Sequence, residues 1–260
     1  MALELVILGS GTSFGVPMVG CDCAVCRSAD PHDRRTRAAA WLRGPGVSVL
    51  IDAGPDLRQQ CLAQGIAAAD ALLITHTHAD HLNGLDDVRA FTHRTHRPLP
   101  VYASAADAAQ VRRQFPYIFA DNMAAFGWGV PRLELHEVDE APFEVAGLSV
   151  HPVPLRHGRW GATGYRVGTM AYLTDCSAVP ETSLRLLSGV ELLVIDALRW
   201  RAHPTHLSIG ESLAVAERVG ARRVVLTHLS HEVSHAGDGA RLPRWASFAY
   251  DGMVLPLPLS

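Results

Sequence analysis

Thr75-His76-Thr77-His78-Ala79-Asp80-His81-Leu82-Asn83-Gly84 follows directly on Ala71-Leu72-Leu73-Ile74, a short apolar run with the character of a buried strand. Its ligand-type side chains therefore leave the chain at that strand's exit. Three imidazoles and one carboxylate within six residues are costly to hold together unless a cation lies between them. Imidazole nitrogen and carboxylate oxygen suit zinc, and also manganese or iron. Side chains alternate faces along an extended segment, so His76 and His78 point the same way and can grip one ion. Asp80 and His81 come where the chain turns, within reach of a second ion beside the first. The strand-then-ligands context separates a metal loop from a merely histidine-rich surface loop.

The same rhythm recurs along the chain. Leu148–Val153 runs into Pro154-Leu155-Arg156-His157-Gly158, and Met170–Leu173 ends at Thr174-Asp175. Leu192–Ile195 ends at Asp196, and Val224–Leu226 ends at Thr227-His228-Leu229-Ser230-His231. Further strands are expected at Leu3–Leu8, Leu99–Tyr102 and Tyr165–Val167, and Ala38–Leu42 with Val47–Ile51 reads as a hairpin. Helices are expected from Pro55 to Ala63, over Leu85–Phe91, from a Ser104 cap to Phe115, and over Ser208–Val219, where Ser208 and Glu211 form a capping box. Strands gathered in sheets with helices outside, and strand ends converging on one site, give an α/β class. Residues 1–260 are read as a single domain, because no Pro/Ser linker is long enough to divide them.

His76, His78, Asp80, His81, His157, Asp175 and His228 all fall at such exits, and together they suit two adjacent divalent ions. His76, His78 and His157 are assigned to one ion, and Asp80, His81 and His228 to the other. Asp175 bridges, since a carboxylate has two oxygens whereas a neutral imidazole offers one lone pair. Two metals roughly 3.5–4 Å apart hold a bridging hydroxide and clamp the oxygens of an in-line displacement. Metal chemistry is also the economical account of fourteen histidines in a chain of this length.

Cys21-Asp22-Cys23-Ala24-Val25-Cys26 sets three thiols close together in a loop at about 16–37. They cannot all pair with one another, but they can wrap a tetrahedral zinc if a His or Cys arrives from far along the chain. An odd total of five cysteines argues for a reducing compartment, hence the cytoplasm, and against a disulfide framework. Cys61 and Cys176 read as small buried hydrophobes.

Composition excludes several classes. The formal net charge is −3 and no Lys/Arg run exceeds two residues, so no nucleic-acid partner is expected. No window approaches the roughly 20 apolar residues of a membrane span, and the N-terminus has no signal-peptide pattern.

The His76–His81 cluster with His157, Asp175 and His228 resembles the metallo-β-lactamase superfamily. That resemblance implies an αββα sandwich, two central mixed β-sheets flanked by helices, with the site along one edge. Gly9-Ser10-Gly11-Thr12-Ser13-Phe14-Gly15, Val16-Pro17, the three cysteines and Leu226–His231 narrow the likeness to the phosphoribosyl 1,2-cyclic phosphate phosphodiesterase family. The likeness runs from Leu3 to about Gly252 and is weakest across 85–130. It implies His231 as the fourth ligand of a structural zinc with Cys21, Cys23 and Cys26. It also implies two catalytic divalent ions, zinc or manganese, a small phosphodiester substrate and a homodimer. His206 is implied to contact phosphate and protonate the leaving oxygen, a role that suits an imidazole near neutral pH. His206, with His203 as a weaker candidate for the same task, and the ligand Asp80 are the candidate catalytic residues. The expected reaction is hydrolysis of a small, cyclic ribosyl phosphodiester. The rival readings are a nuclease that processes tRNA 3′ ends, disfavoured without a basic stripe or RNA-gripping arm, and a non-catalytic metal-binding protein related to pyrroloquinoline-quinone biosynthesis.

Three features are read two ways. The Gly9–Gly15 turn either cradles phosphate or is only a tight turn. Asp52 either accepts a hydrogen bond from a metal-bound histidine or caps the helix near Pro55. Residues 116–130, rich in aromatics, are either a lid near the site or packing on the core.

Overall fold

The computed structural model describes residues 3–120 and 129–257. Its first sheet contains β1 (Glu4–Gly9), β2 (Ala39–Gly44), β3 (Val47–Ile51), β4 (Ala71–Leu73), β5 (Leu99–Ser104) and β6 (Leu133–Val138) side by side. The second contains β7 (Phe143–Val145), β8 (Leu148–His157), β9 (Trp160–Val167), β10 (Met170–Leu173), β11 (Leu192–Asp196), β12 (Arg223–Thr227) and β13 (Ala246–Phe248). The chain then returns to the first sheet, where β14 (Val254–Pro256) pairs antiparallel with β1. Each sheet is mixed in the same way. β1, β2 and β3 pair antiparallel while β3 to β6 run parallel, and β7 to β10 pair antiparallel while β10 to β13 run parallel.

Side-chain alternation along these strands sends residues to both faces, and both faces are covered. Leu5, Ile7, Leu42, Ile51 and Leu73 of the first sheet meet Tyr165, Tyr172, Val194 and Val225 of the second in the central layer. The outer face of the first sheet is covered by α1 (Leu57–Gln64), α2 (Ala79–Leu82), α3 (Arg89–Thr95) and α4 (Ala105–Gln114). That of the second packs on α5 (Glu181–Leu186) and α6 (Ile209–Val219), with α7 (His235–Gly239) beside β13. The result is the αββα sandwich, and no helix among the described residues is long and apolar enough to cross a membrane.

Several boundaries differ from the sequence reading for physical reasons. β8 continues to His157 through Pro152 and Pro154, because its pairing with β7 ends at Val150 and the exposed edge beyond needs no N–H donors. The helix near Pro55 begins at Leu57, so Asp52 is not its cap. The Ser104 and Ser208 caps form, the latter as a full capping box. Of the aromatic segment, Tyr117 and Phe119 pack on the first sheet's outer cluster and Tyr117 Oη donates to Asp86. Phe126 and Trp128 lie outside the described residues.

Candidate metal centre and active-site pocket

The parallel halves of the two sheets point their C-terminal ends at the same edge, where ligand sites form in sheets of this kind. β3 delivers Asp52 there, β4 delivers Thr75 and the histidine loop, β10 delivers Asp175, β11 delivers Asp196 and β12 delivers His228. The β8–β9 hairpin adds His157 from the antiparallel half. Asp52, Asp175 and His228 all adopt left-handed backbone conformations, with φ of 66°, 51° and 59°. Non-glycine residues in this region cost of order 1 kcal/mol or more and persist only where packing holds them. Here the turn re-aims each side chain into the site immediately after its strand ends.

The histidine loop is clamped from below. Ala53 N–H donates to His81 O and Gly84 N–H donates to Ala53 O, each at 2.8 Å. A Cβ on Gly54 would sit 1.9 Å from Asp80 O, and one on Gly84 would sit 1.8 Å from Gly54 O. Only glycine lets these two backbones approach, which explains why the loop ends in Gly84.

Two donor groups converge on the Asp175 carboxylate. His76, His78, His157 and Asp175 form one, and Asp80, His81, His228 and Asp175 form the other, with the donor atoms in each group within 4.8 Å of one another. Asp175 Oδ2 lies 3.8 Å from His76 Nε2 and 3.8 Å from His157 Nε2. Its Oδ1 lies 3.0 Å from His81 Nε2 and 3.2 Å from His228 Nε2. Each oxygen thus faces a different group. Asp80 Oδ2 is 3.2 Å from His81 Nε2 and 3.7 Å from His228 Nε2.

The outward partners of the rings fix which nitrogen keeps a lone pair for the centre. Asp52 accepts from Thr75 N–H (2.8 Å), Thr75 Oγ1–H (2.8 Å) and His81 Nδ1–H (2.7 Å). Thr75 Oγ1, having donated its proton to Asp52, accepts from His76 Nδ1–H at 3.1 Å. His157 Nδ1–H donates to Thr205 O at 2.8 Å. The remaining nitrogens, His76 Nε2, His81 Nε2 and His157 Nε2, are the ones aimed inward. His76 Nε2, His81 Nε2 and His228 Nε2 are buried without a hydrogen-bond partner. His157 Nε2 faces His78 Nδ1 across 3.2 Å. Lone pairs directed at one another and at carboxylates fit divalent cations between them.

Titration behaviour shows the same charge frustration. Burial and the neighbouring His81 hold His76 well below the ordinary imidazole value, and burial holds His157 below it. Burial, the largest single influence, opposes protonation of His81 and His228 too, yet the surrounding carboxylates together outweigh it and raise both, Asp175 with Asp52 for His81 and Asp175 with Asp80 and Asp196 for His228. Burial works against ionisation of Asp175 and Asp80, but the facing imidazoles keep both below the usual carboxylate range. Burial raises Asp52 in spite of His81.

Asp196 is the functional residue that sequence reasoning left without a role. Its Oδ2 accepts from His206 Nδ1–H at 2.9 Å and from Cys176 N–H at 2.8 Å. Its Oδ1 has no hydrogen-bond partner and lies 3.8 Å from His228 Nδ1. The available signal was an acid at the end of a fully buried strand. His206 stacks on His228 with ring centroids 4.7 Å apart and lies 4.8 Å from the His157 ring. It lines a cavity of about 680 Å³ with His78, Asp80, His157, Asp175 and His228. His203 and Ser13 line the same cavity. Gly9 and Gly11 do not; a Cβ on either would strike the backbone of Arg37 or Arg35, so close packing accounts for them.

Cys21, Cys23, Cys26 and His231 form a third donor group. His231 Nδ1 is 3.3 Å from Cys21 Sγ and 3.5 Å from Cys23 Sγ. The Cys26 backbone N–H on its sulfur is the main reason the Cys23 thiol is drawn down to about 6, while burial pushes Cys26 up to about 11. Arg35, fully buried, ties the same loop to the late one by donating to Ser230 O at 3.0 Å and Val233 O at 2.8 Å.

Comparison with known proteins gives this edge a lineage. A family model described as a beta-lactamase superfamily domain matches residues 48–229. A crystal structure described as a new diphosphatase from the PhnP family superposes with a TM-score of 0.91 at 41% identity, covering 99% of both chains. An octanoyltransferase of Porphyromonas gingivalis is 42% identical over 96% of this chain, but the chain spans only 51% of that protein, about half its length. Coenzyme PQQ synthesis protein B of Methylobacterium nodulans is 27% identical over 98% of this chain and 100% of its own. By these matches and by its two-sheet scaffold, the chain belongs to the beta-lactamase superfamily, as a metallo-β-lactamase-fold hydrolase related to the PhnP-family diphosphatase.

Proposed function

We propose that the protein hydrolyses phosphoric diesters, with a small cyclic ribosyl phosphodiester as the substrate suited to the smaller cavity. The observation that carries this reading is the sharing of one carboxylate: Asp175 presents separate oxygens to two donor groups, and His206 stands beside both. His76, His78 and His157 would hold one divalent ion, zinc or manganese, Asp80, His81 and His228 the other, and Asp175 both. Bound there, the ions supply an activated water and neutralise charge on the phosphoryl oxygens. Cys21, Cys23, Cys26 and His231 would hold a structural zinc that fixes the late loop carrying His228. The cysteine thiolates of that site favour a reducing, cytoplasmic setting.

The chain's own contribution is orientation and a proton. Asp196 holds the His206 ring by accepting from Nδ1–H, which leaves Nε2 as the atom that carries the transferred proton. The Nε2 proton then goes to the departing alkoxide oxygen.

The test is turnover of bis(p-nitrophenyl) phosphate and of a cyclic ribosyl phosphodiester by metal-reconstituted protein. His206→Ala is expected to lower kcat by about 10²–10⁴ toward the cyclic ribosyl phosphodiester, whose alkoxide leaves only with a proton, and by less toward the nitrophenyl ester, with metal content unchanged. Metal-loaded protein without any diesterase activity, or a His206→Ala variant as fast as the wild type on the cyclic ester, would sink the reading. The first of those results would leave a metal-binding protein.

A further inference from the structure

A second and larger cavity, of about 980 Å³, opens on the far side of His78 from His206. It is lined by apolar Pro152, Pro154 and Leu155 and by the exposed Ala105 and Ala106, together with Gln110 and Gln114. His78 and Trp160 line both cavities. Trp160 follows His157 across the two-residue turn at the tip of the β8–β9 hairpin, a turn that Gly158 allows with φ of +60°. The indole meets the His78 ring edge-on at 5.7 Å and is 61% exposed, one of the few large exposed hydrophobics among the described residues. A cyclic ribosyl phosphate in the smaller cavity leaves this space and this aromatic face without a use.

Resting on the phosphodiesterase reading above, we propose that the larger cavity receives the group that stays on phosphorus, and that this group is a nucleoside whose base stacks on Trp160. His206 lines only the smaller cavity, so the departing oxygen belongs on that side and the retained ester group across His78. The rim decides the charge of the occupant. Asp107, Asp139 and Glu140 outnumber Arg113, whose guanidinium is engaged by Gln110 Oε1. A neutral nucleoside suits that rim, and a continuing phosphate chain does not. A flat indole accepts any base by its π-face, so the subsite selects a base over no base more than one base over another. The substrate class that the larger cavity adds to the small cyclic ester is therefore linear diesters of nucleoside monophosphates, in which water replaces the second alkoxide at phosphorus and the nucleoside monophosphate is released with the alcohol.

Two measurements on the metal-reconstituted protein test this. The p-nitrophenyl ester of thymidine monophosphate and methyl p-nitrophenyl phosphate share a leaving group and differ only in the retained group. The nucleoside ester is expected to have a kcat/KM about tenfold higher or more, as one stacked base provides. Trp160→Ala should bring that ratio close to one, and Trp160→Phe should restore most of it. Calorimetric titration with adenosine monophosphate and with ribose phosphate reads the same subsite without turnover, and the nucleotide should bind about tenfold tighter, a preference lost in Trp160→Ala. Equal affinities in the wild type, or a ratio that Trp160→Ala leaves intact, would overturn the proposal. If neither ester is hydrolysed, the phosphodiesterase reading fails, while the calorimetric comparison still decides the subsite.

Discussion

Asp52→Asn changes one atom and tests whether the protein sets the protonation of its candidate metal ligands. The Asp52 carboxylate is buried and accepts from Thr75 N–H, Thr75 Oγ1–H and His81 Nδ1–H. The amide keeps the shape but turns one acceptor into a donor. If the new NH₂ faces His81, the ring must accept at Nδ1 and carry its proton on Nε2, the atom aimed at Asp80 and Asp175. That lone pair is then lost to a cation. If the amide flips, its NH₂ confronts the Thr75 backbone N–H, and a buried donor left unsatisfied costs about 1–3 kcal/mol. A change of imidazole tautomer costs less than that, so the first arrangement wins. Removing the partner of a ligating histidine weakens metal binding about 10–100-fold, equivalent to about 1.4–2.7 kcal/mol. Competition against a chromophoric chelator measures the affinity, and thermal unfolding of the metal-free protein measures any stability loss. An Asp52→Asn variant that binds metal within about twofold of wild type and melts with it would refute the tautomer argument, since the carboxylate would then be neither orienting His81 nor anchoring Thr75.

Two further outcomes follow from the same contacts. His81 and His228 have raised folded pKa values, so their contribution to stability is complete below the unfolded value of 6.5 and is lost as pH rises through the folded values. Cys23, drawn down to about 6, titrates over the same window with opposite sign, so the measurement belongs in a Cys23→Ser background. Metal-free protein of that background should melt at progressively lower temperature above pH 6.5, and the metal-loaded form at higher temperature, because protons and cations compete for the same nitrogens; a metal-free melting temperature that climbs with pH contradicts this. Arg35→Met removes the donor to Ser230 O and Val233 O and strips the buried Asp33 carboxylate of its 2.8 Å partner. Breaking such a pair costs about 3–5 kcal/mol, to be read from urea unfolding, and a loss below about 1 kcal/mol would mean that the arginine does not anchor the late loop.

Most of the two-sheet scaffold is legible from apolar runs because both sheets are buried on both faces, which leaves a plain hydrophobic signature in β1, β3, β4, β10, β11 and β12. The edge strands are not. β6, β7, β13 and β14 are short or half exposed, and in β6 the pattern Leu133-Glu134-Leu135-His136-Glu137-Val138 is no stronger than that of a polar loop. The seven donors of the paired groups share one local mark, a ligand-type residue at or just past a strand end, and the convergence of all but His157, which the antiparallel β8–β9 hairpin supplies, follows once the parallel halves are known to end at one edge. His231 has no such mark. It meets the cysteines only because the chain returns more than two hundred residues later, and family likeness alone pointed to it.

The backbone at those strand exits was hidden for a different reason. Nothing in the residue types of Asp52, Asp175 or His228 announces a left-handed φ, since the conformation is imposed by packing. Asp196 shows the contrast: it shares the strand-exit position but not the positive φ, and its carboxylate turns to His206 and the Cys176 amide. Residues that twist past the strand end reach the metal-facing cluster or, for Asp52, the histidine supporting it. Asp196, which does not twist, holds His206, while His157 reaches the cluster from its strand end without a positive φ. A sequence pattern that locates strand exits therefore finds the candidate donors, and at Asp52, Asp175 and His228 a left-handed backbone angle just past the strand completes their aim.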